Sequence, residues 1–401
     1  MAAFNPGPLD SLCQILQSKI DFLAQSASSV NAPEYFLSTS EGLMRFILNA
    51  PNRVKKLVTS NFSAINYDIA RARSVTRTHP TLEALRGCFE TIIQQLRALN
   101  HEAPQPTAAE LGNIGLAAAR LWDLDVNRLV PTENFVLDLQ KEKSPSDRRD
   151  YADRPLFSWV DPAYLERPTF KAFMALLDNF VAEEGAAEQV TAGERSENAL
   201  FLELIMDTAV MTYCHRWLAA NHKAPADRDE FIGALNRAWF GLYRRKVAND
   251  SSGFEHVFLG EREGEKVVGL HNWIQLRSEE TSGRLNYKGK IRPKRRVPAG
   301  YPVEQLITIQ FEWCGVEKFV SSSIIGTSPE FEIALYSLCF FNGQEDTLVT
   351  LGPHRVNVKA FKMAGNHIGS AFPEEAESDD VDKNRAASVI QKRVLSRKAG
   401  R

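Results

Sequence analysis

The sequence predicts an α+β fold, a helical N-terminal part followed by an antiparallel, β-rich region. Three observations carry this expectation. Apolar residues recur at helical spacing as far as about residue 245, alternation takes over beyond Ser251, and one helix start at Pro329 interrupts the later strands. In chain order, Leu9, Leu12, Ile15, Leu16 and Ile20 keep helical spacing, as do Leu82, Leu85, Phe89, Ile92, Ile93 and Leu96, so residues 1–107 read as a helical region of unknown role. The stretch from His101 to Thr107 holds two prolines among polar residues and reads as a linker. A second domain, 108–373, begins with a mainly helical lobe, 108–250, in which amphipathic helices are expected around 169–183, 195–220 and 229–245. Its β-rich lobe, 251–373, contains candidate strands at 253–259, 267–276, 305–314 and 355–362, and a helix whose Ser328-Pro329 start is orthodox. From Glu374 to Arg401 an acidic run gives way to a basic one without an aromatic anchor, which reads as a disordered or marginally helical tail. Ile390-Gln391 resembles a calmodulin-type IQ segment only weakly, since Leu395 stands where that pattern wants arginine.

With 401 residues, 44% hydrophobic and 24% charged, core size is not limiting. A net charge of -2 gives no global reason for nucleic-acid or membrane affinity, so any such affinity has to come from local patches. Cys13, Cys88, Cys214, Cys314 and Cys339 are odd in number and widely spaced, which argues against a disulfide framework and a zinc site alike. The first residues lack a secretory signal pattern and no run of about 18 apolar residues occurs. The expectation is a monomer of the cytoplasm or nucleus, without a membrane partner.

His256 and His271 are the most informative residues. They lie in two short alternating runs joined by a polar turn at Glu263-Gly264, and in a hairpin closed there they are direct cross-strand neighbours. Phe254, His256 and Phe258 then share one face, with Gly269, His271 and Trp273 on the face that meets it. Two imidazoles and a carboxylate can hold a transition ion, but Glu255 points away from His256 and no third ligand is fixed by spacing. Acid and base catalysis fits better, and the symmetric placement leaves either histidine free to take either role. The segment Tyr287 to Arg296, with Lys288 and five further cations, looks built for phosphate, while Trp273, Tyr287 and Trp313 offer stacking surfaces for bases. Lys318, Ser321 to Ser323 and the hydroxyl-rich entrance to the Pro329 helix complete an anion site, with the lysine suited to a pentacoordinate phosphorus.

Ser251 to Glu261, Gly269 to Gln275, Asn286 to Gly289 and Ile325 to Glu332 resemble, in order and spacing, the signature segments of the EndoU (XendoU-like) poly(U)-specific endoribonucleases. Leu121 to Arg128, Leu156 to Trp159, Pro168 to Phe173 and Leu242 to Arg245 do so upstream, and the likeness spans about 108–373. The resemblance implies an EndoU-like fold and an endoribonuclease, stimulated by Mn2+ or Ca2+, that cuts single-stranded RNA at uridines to leave 2',3'-cyclic phosphate and 5'-hydroxyl ends. It also implies His271 as general base, His256 as general acid and Lys318 as the third member of the triad. Ser322 matches the family's uracil-contacting serine, and Glu255 and Glu261 match acidic residues tied to activity or ion dependence. One departure stands out: Phe372 takes the place of a tyrosine that packs against the uridine, which keeps stacking and loses a hydroxyl. The competing expectation is an RNA-binding protein that retains the groove without turnover.

Overall fold

In the computed structural model, which describes residues 16–21, 89, 90, 92, 104–292, 305–363 and 365–376, the chain divides into two units. One comprises Met1–Pro104 with Asp123–Arg128, the other Gln105–Trp122 with Leu129–Arg401. Within the first, residues 16–21 are helical with Leu16 and Ile20 buried one turn apart, and Phe89 and Ile92 are buried in the same manner. The rest of the expected N-terminal helices and residues 377–401, including the IQ-like segment, lie outside the described residues.

The second unit opens on short helices whose ends are set by capping. Thr107 and Glu110 form a capping box on α1 (Ala108–Leu111), and α2 (Ile114–Leu124) follows. Three short strands, β1 (Phe135–Leu137), β2 (Glu142–Lys143) and β3 (Phe157–Val160), precede α3 (Pro162–Leu165) and α4 (Pro168–Met174), which both begin on proline. The helix expected over 195–220 is two, α5 (Ala192–Met206) and α6 (Ala209–Ala220). Thr208 makes the break, because its hydroxyl caps Met211 N–H of the second helix while it donates to the Ile205 carbonyl of the first. Helix α7 (Arg228–Phe240) stops five residues short of the expected end, where Gly241 turns extended.

The expected His256 strand is absent. Residues 253–259 are helical, and Glu255–Leu259 form one turn of π-helix closed by Gly260 N–H on the Glu255 carbonyl. Phe254 and Phe258, four apart, enter an aromatic cluster: Phe173 stands 5.5 and 5.6 Å from their ring centres, and Trp239 stands 5.2 Å from Phe258. Alternation of apolar residues is thus satisfied by a helical face, not by a strand. A short hairpin of β4 (Glu261–Glu263) and β5 (Lys266–Val268) does follow, but it pairs Glu261 with Val268 and ends before His271. Helix α8 (Trp273–Thr281) then replaces the second half of the expected 267–276 strand, capped by Asn272, whose side chain accepts from the Ile274 and Gln275 amides.

Two sheets complete the lobe. Strands β6 (Leu285–Ile291), β7 (Leu306–Trp313) and β8 (Val316–Ile324) join β2 in the order β2-β6-β7-β8. Helix α9 (Pro329–Asn342), capped by Ser328 and ended by Gly343 at φ 78°, is buried nearly all round and packs on α6 and on the second sheet. That sheet has the order β11-β10-β9, from β9 (Asp346–Leu351), β10 (His354–Met363) and β11 (His367–Glu375). Strand β11 carries order to Glu375, past the expected tail boundary, with the Glu374 carboxylate 3.6 Å from Lys359 Nζ. In β8, Lys318 faces Phe311 and Ser321 faces Ile309, so Phe319 and Val320 together oppose Gln310 alone. This bulge brings Lys318 and Ser321 to one face of the strand, which strict alternation would have separated.

Candidate active site

Backbone hydrogen bonds, not strand pairing, bring the two histidines together. Leu270 N–H donates to the His256 carbonyl at 3.2 Å and His271 N–H to the Val257 carbonyl at 3.0 Å, so the loop before α8 is fastened to the π-helix. The approach requires glycine at 269: its φ is +64°, and a Cβ there would stand 1.6 Å from the His256 carbonyl oxygen. Ser321 reinforces the same loop by donating its hydroxyl to the Leu270 carbonyl at 3.0 Å.

The rings differ in what fixes them. His271 Nδ1 lies 3.0 Å from the Ser322 carbonyl, which can only accept, so Nδ1 carries the hydrogen and Nε2 keeps a lone pair. Burial, assisted by Lys318, holds its pKa well below 6.5, and the neutral ring of a base follows. His256 Nδ1 instead meets a carboxylate, Glu261 Oε2, at 2.6 Å, and that oxygen lies 3.4 Å from Arg245 Nε. Burial lowers the His256 pKa while Glu261 opposes the fall. A ring backed by an anion can hold and release a second proton, which is the property of an acid.

Lys318, also buried, donates from Nζ to the Gly269 carbonyl, and burial brings its pKa down to about 7. Phe372 on β11 stacks on His271 with ring centres 4.8 Å apart and planes 17° from parallel. The Ser322 hydroxyl lies 3.0 Å from that of Thr308 on β7. His256, His271, Lys318, Ser322 and Phe372 therefore share one neighbourhood.

Other expected contacts are placed differently. Trp273 is fully buried and donates its indole N–H to the Thr327 carbonyl at 2.8 Å, so it is a core residue with no face for a base. Tyr287 and Trp313 are likewise buried, bonded to the Leu139 carbonyl and to Glu279. Lys288 and Lys290 are strand residues paired with Glu317 and Glu142, not free cations of a loop. The cations beyond Arg292 lie outside the described residues.

Glu255 turns away from this centre, as expected. Its Oε1 accepts from the Ser252 hydroxyl at 2.7 Å, Oε2 is buried without a hydrogen-bond partner, and burial, with Glu188 nearby, pushes its pKa up to about 8. It lines a recess of about 350 Å³ together with Asp178, Glu188 and Glu194. Among the described residues no three Asp, Glu, His or Cys side chains converge as metal ligands. Ser321 stands in the hydroxyl run expected at the anion site and Arg245 in a family-like segment, but spacing gave no sign of Thr308 or of the bonds that Ser321 and Arg245 make to Leu270 and Glu261, distant in sequence.

Comparison with known proteins agrees with this architecture. Residues 113–373 match the model of the family described as endoribonuclease XendoU. A uridylate-specific endoribonuclease C of Danio rerio is 37% identical over 301 residues, covering 72% of this chain and 96% of the relative. A poly(U)-specific endoribonuclease of Xenopus tropicalis is 36% identical over 301 residues, covering 71% and 97%. The solved structure of XendoU, described as a splicing-independent snoRNA-processing endoribonuclease, superposes with a TM-score of 0.59 at 36% identity over 66% of this chain and 96% of its own. With the fold, the matched span and these relatives in agreement, the chain belongs to the XendoU endoribonuclease family.

Proposed function

We propose that this protein is an endoribonuclease that cleaves single-stranded RNA, preferentially after uridines, by attack of the 2'-hydroxyl on the adjacent phosphorus. The observation that carries the mechanism is the unequal anchoring of the two Nδ1 atoms, a carbonyl behind His271 and a carboxylate behind His256. His271 Nε2 takes the proton of the 2'-hydroxyl as the 2'-O–P bond forms. His256 gives a proton to the 5'-oxygen as the P–O5' bond breaks, which leaves a 2',3'-cyclic phosphate and a 5'-hydroxyl. Lys318, with further N–H groups beyond the one on Gly269, balances the charge that builds on the phosphorane. Phe372, stacked on the base histidine, borders the position of the attacked nucleotide.

Stimulation by manganese or calcium belongs to the same proposal. No ligand trio is preformed among the described residues, but the acidic recess suits a hydrated ion: Glu255 Oε2 is a buried carboxylate oxygen without a partner, and Asp178, Glu188 and Glu194 surround the same space. A bound ion would supply the positive charge that Glu255, its pKa pushed up to about 8 by burial, needs to ionise at neutral pH, one residue from His256. Terbium luminescence tests it without reference to activity: Glu255→Gln should weaken Tb3+ binding about tenfold or more, and unchanged binding assigns the ion elsewhere.

The test of the reaction is cleavage of an oligonucleotide with a single uridine, with and without manganese or calcium. His271→Ala should reduce the rate by about 10³-fold or more. Undiminished cleavage by that variant defeats the mechanism, and a 5'-phosphate on the product points to activated water instead.

A further inference from the structure

Arg245 lies in a segment, Leu242 to Arg245, to which the reaction above gives no task, yet its guanidinium touches both halves of the site. Nε donates to the Ser251 hydroxyl at 3.0 Å and lies 3.4 Å from Glu261 Oε2, the oxygen that holds His256 Nδ1. Nη2 donates to the Tyr243 hydroxyl at 2.8 Å and to the Gly369 carbonyl. Gly369 stands on β11, three residues before Phe372, whose ring stacks on His271. The backbone of Arg245 is itself fixed, because its N–H donates to Asp250 Oδ1 at 2.7 Å while Asp250 Oδ2 accepts the next two amides. Among the groups named here, only this guanidinium joins the acid pair to the strand beside the base.

We propose that Arg245 is the positioning residue of the general acid. Glu261 is 1% exposed, and a carboxylate so buried beside an imidazole is costly unless a fixed cation balances it. Arg245 supplies that cation permanently, since guanidinium does not deprotonate in proteins. Glu261 then stays an acceptor for His256 Nδ1–H, and the imidazole presents its other nitrogen at a set distance from the phosphate. The bond to Gly369 transmits the same fixation to β11, so acid and base keep their separation. Arg245 needs no contact with RNA for this. The inference rests on the reading of His256 as the acid, which the experiment checks separately.

A leaving group that needs no proton distinguishes this role from a general contribution to folding. The probe is a single-uridine oligonucleotide, compared with its analogue carrying sulfur at the bridging 5' position, whose thiolate departs unprotonated. Arg245→Met should lose about 10²-fold on the oxygen substrate, the scale of general acid catalysis, and come within about fivefold of wild type on the sulfur substrate. The same deficit on both substrates overturns the proposal, because Arg245 would then serve the base, binding or folding. His256→Ala and His271→Ala calibrate the measurement: the first should be rescued by sulfur, the second not. If His256→Ala is not rescued, the acid assignment itself fails, whatever Arg245 does, and the proposal falls with it. If Arg245→Met does not fold by thermal melting, Arg245→Lys carries the comparison. Lysine keeps a charge near Glu261 but cannot span to Gly369, so it should show a smaller loss with the same sulfur rescue, and an equal loss on both substrates overturns the proposal.

Discussion

Lys318 sets the pH behaviour expected of the site. Burial lowers its pKa to about 7, so it is protonated below that value and neutral above it. If its charge stabilises the phosphorane, kcat/KM declines as pH rises through about 7. In Lys318→Arg, whose guanidinium stays charged, the absolute rate falls but this part of the decline should flatten; a profile of unchanged shape counts against the role. Phe372 carries a second expectation. Its stacking on His271 is worth about 1 kcal/mol, so Phe372→Ala should cost about fivefold in kcat/KM. Phe372→Tyr keeps the ring, adds a hydroxyl and should raise the preference for uridine over cytidine; an unmoved ratio means that the hydroxyl finds no base. The family resemblance pointed to Phe372, and for Lys318 the hydroxyl-rich run that follows it did so as well. Of Arg245 the sequence shows only a place in a family-like segment, because its partners Glu261 and Gly369 are joined to it only through space.

At the scale of elements, the histidine pair was read as neighbours for the wrong reason. Phe254, His256 and Phe258 satisfy alternation, but the i, i+4 pair of phenylalanines satisfies a helical face equally well, and the aromatic cluster decides for the helix. What a cross-strand pair would have supplied comes from Gly269, which lets the loop touch the π-helix. Gly269→Ala should therefore destabilise by about 3 kcal/mol or more and abolish cleavage, since the Cβ has to displace the backbone of His256 or of the His271 loop. Denaturant unfolding measures the first and the single-uridine substrate the second; a stable, active variant shows that the loop has another way to dock. Strand β8 escaped notice because its bulge breaks the alternation at Phe319-Val320. The lysines of strand β6 read as free to meet phosphate because Glu142 and Glu317, which pair them, lie far away in sequence.

For the molecule as a whole, the site is a burden on stability with a definite sign. Lys318 has a folded pKa of about 7 against 10.5 when unfolded, so between these values the unfolded chain binds a proton that the folded chain does not, and stability rises with pH. Below about 7 the full cost of the buried ammonium applies. His271 acts in the same direction further down: its folded pKa is well below 6.5, so as pH falls below 6.5 only the unfolded state gains the proton and stability is lost again. Replacing Lys318 with methionine removes the first of these costs, which is several kcal/mol, less the hydrogen bond to Gly269. For a domain of this size about 1 kcal/mol moves Tm by roughly 2–4 °C. Lys318→Met should thus melt about 5 °C or more above wild type at pH 6, show a shallower dependence of Tm on pH between 6 and 9, and cleave RNA at least about 10²-fold more slowly. Thermal melts across that range, paired with the cleavage assay, give all three quantities. A variant that is inactive and no more stable than wild type would mean that the folded protein already offsets the ammonium with charge, and that its catalytic lysine is held without cost.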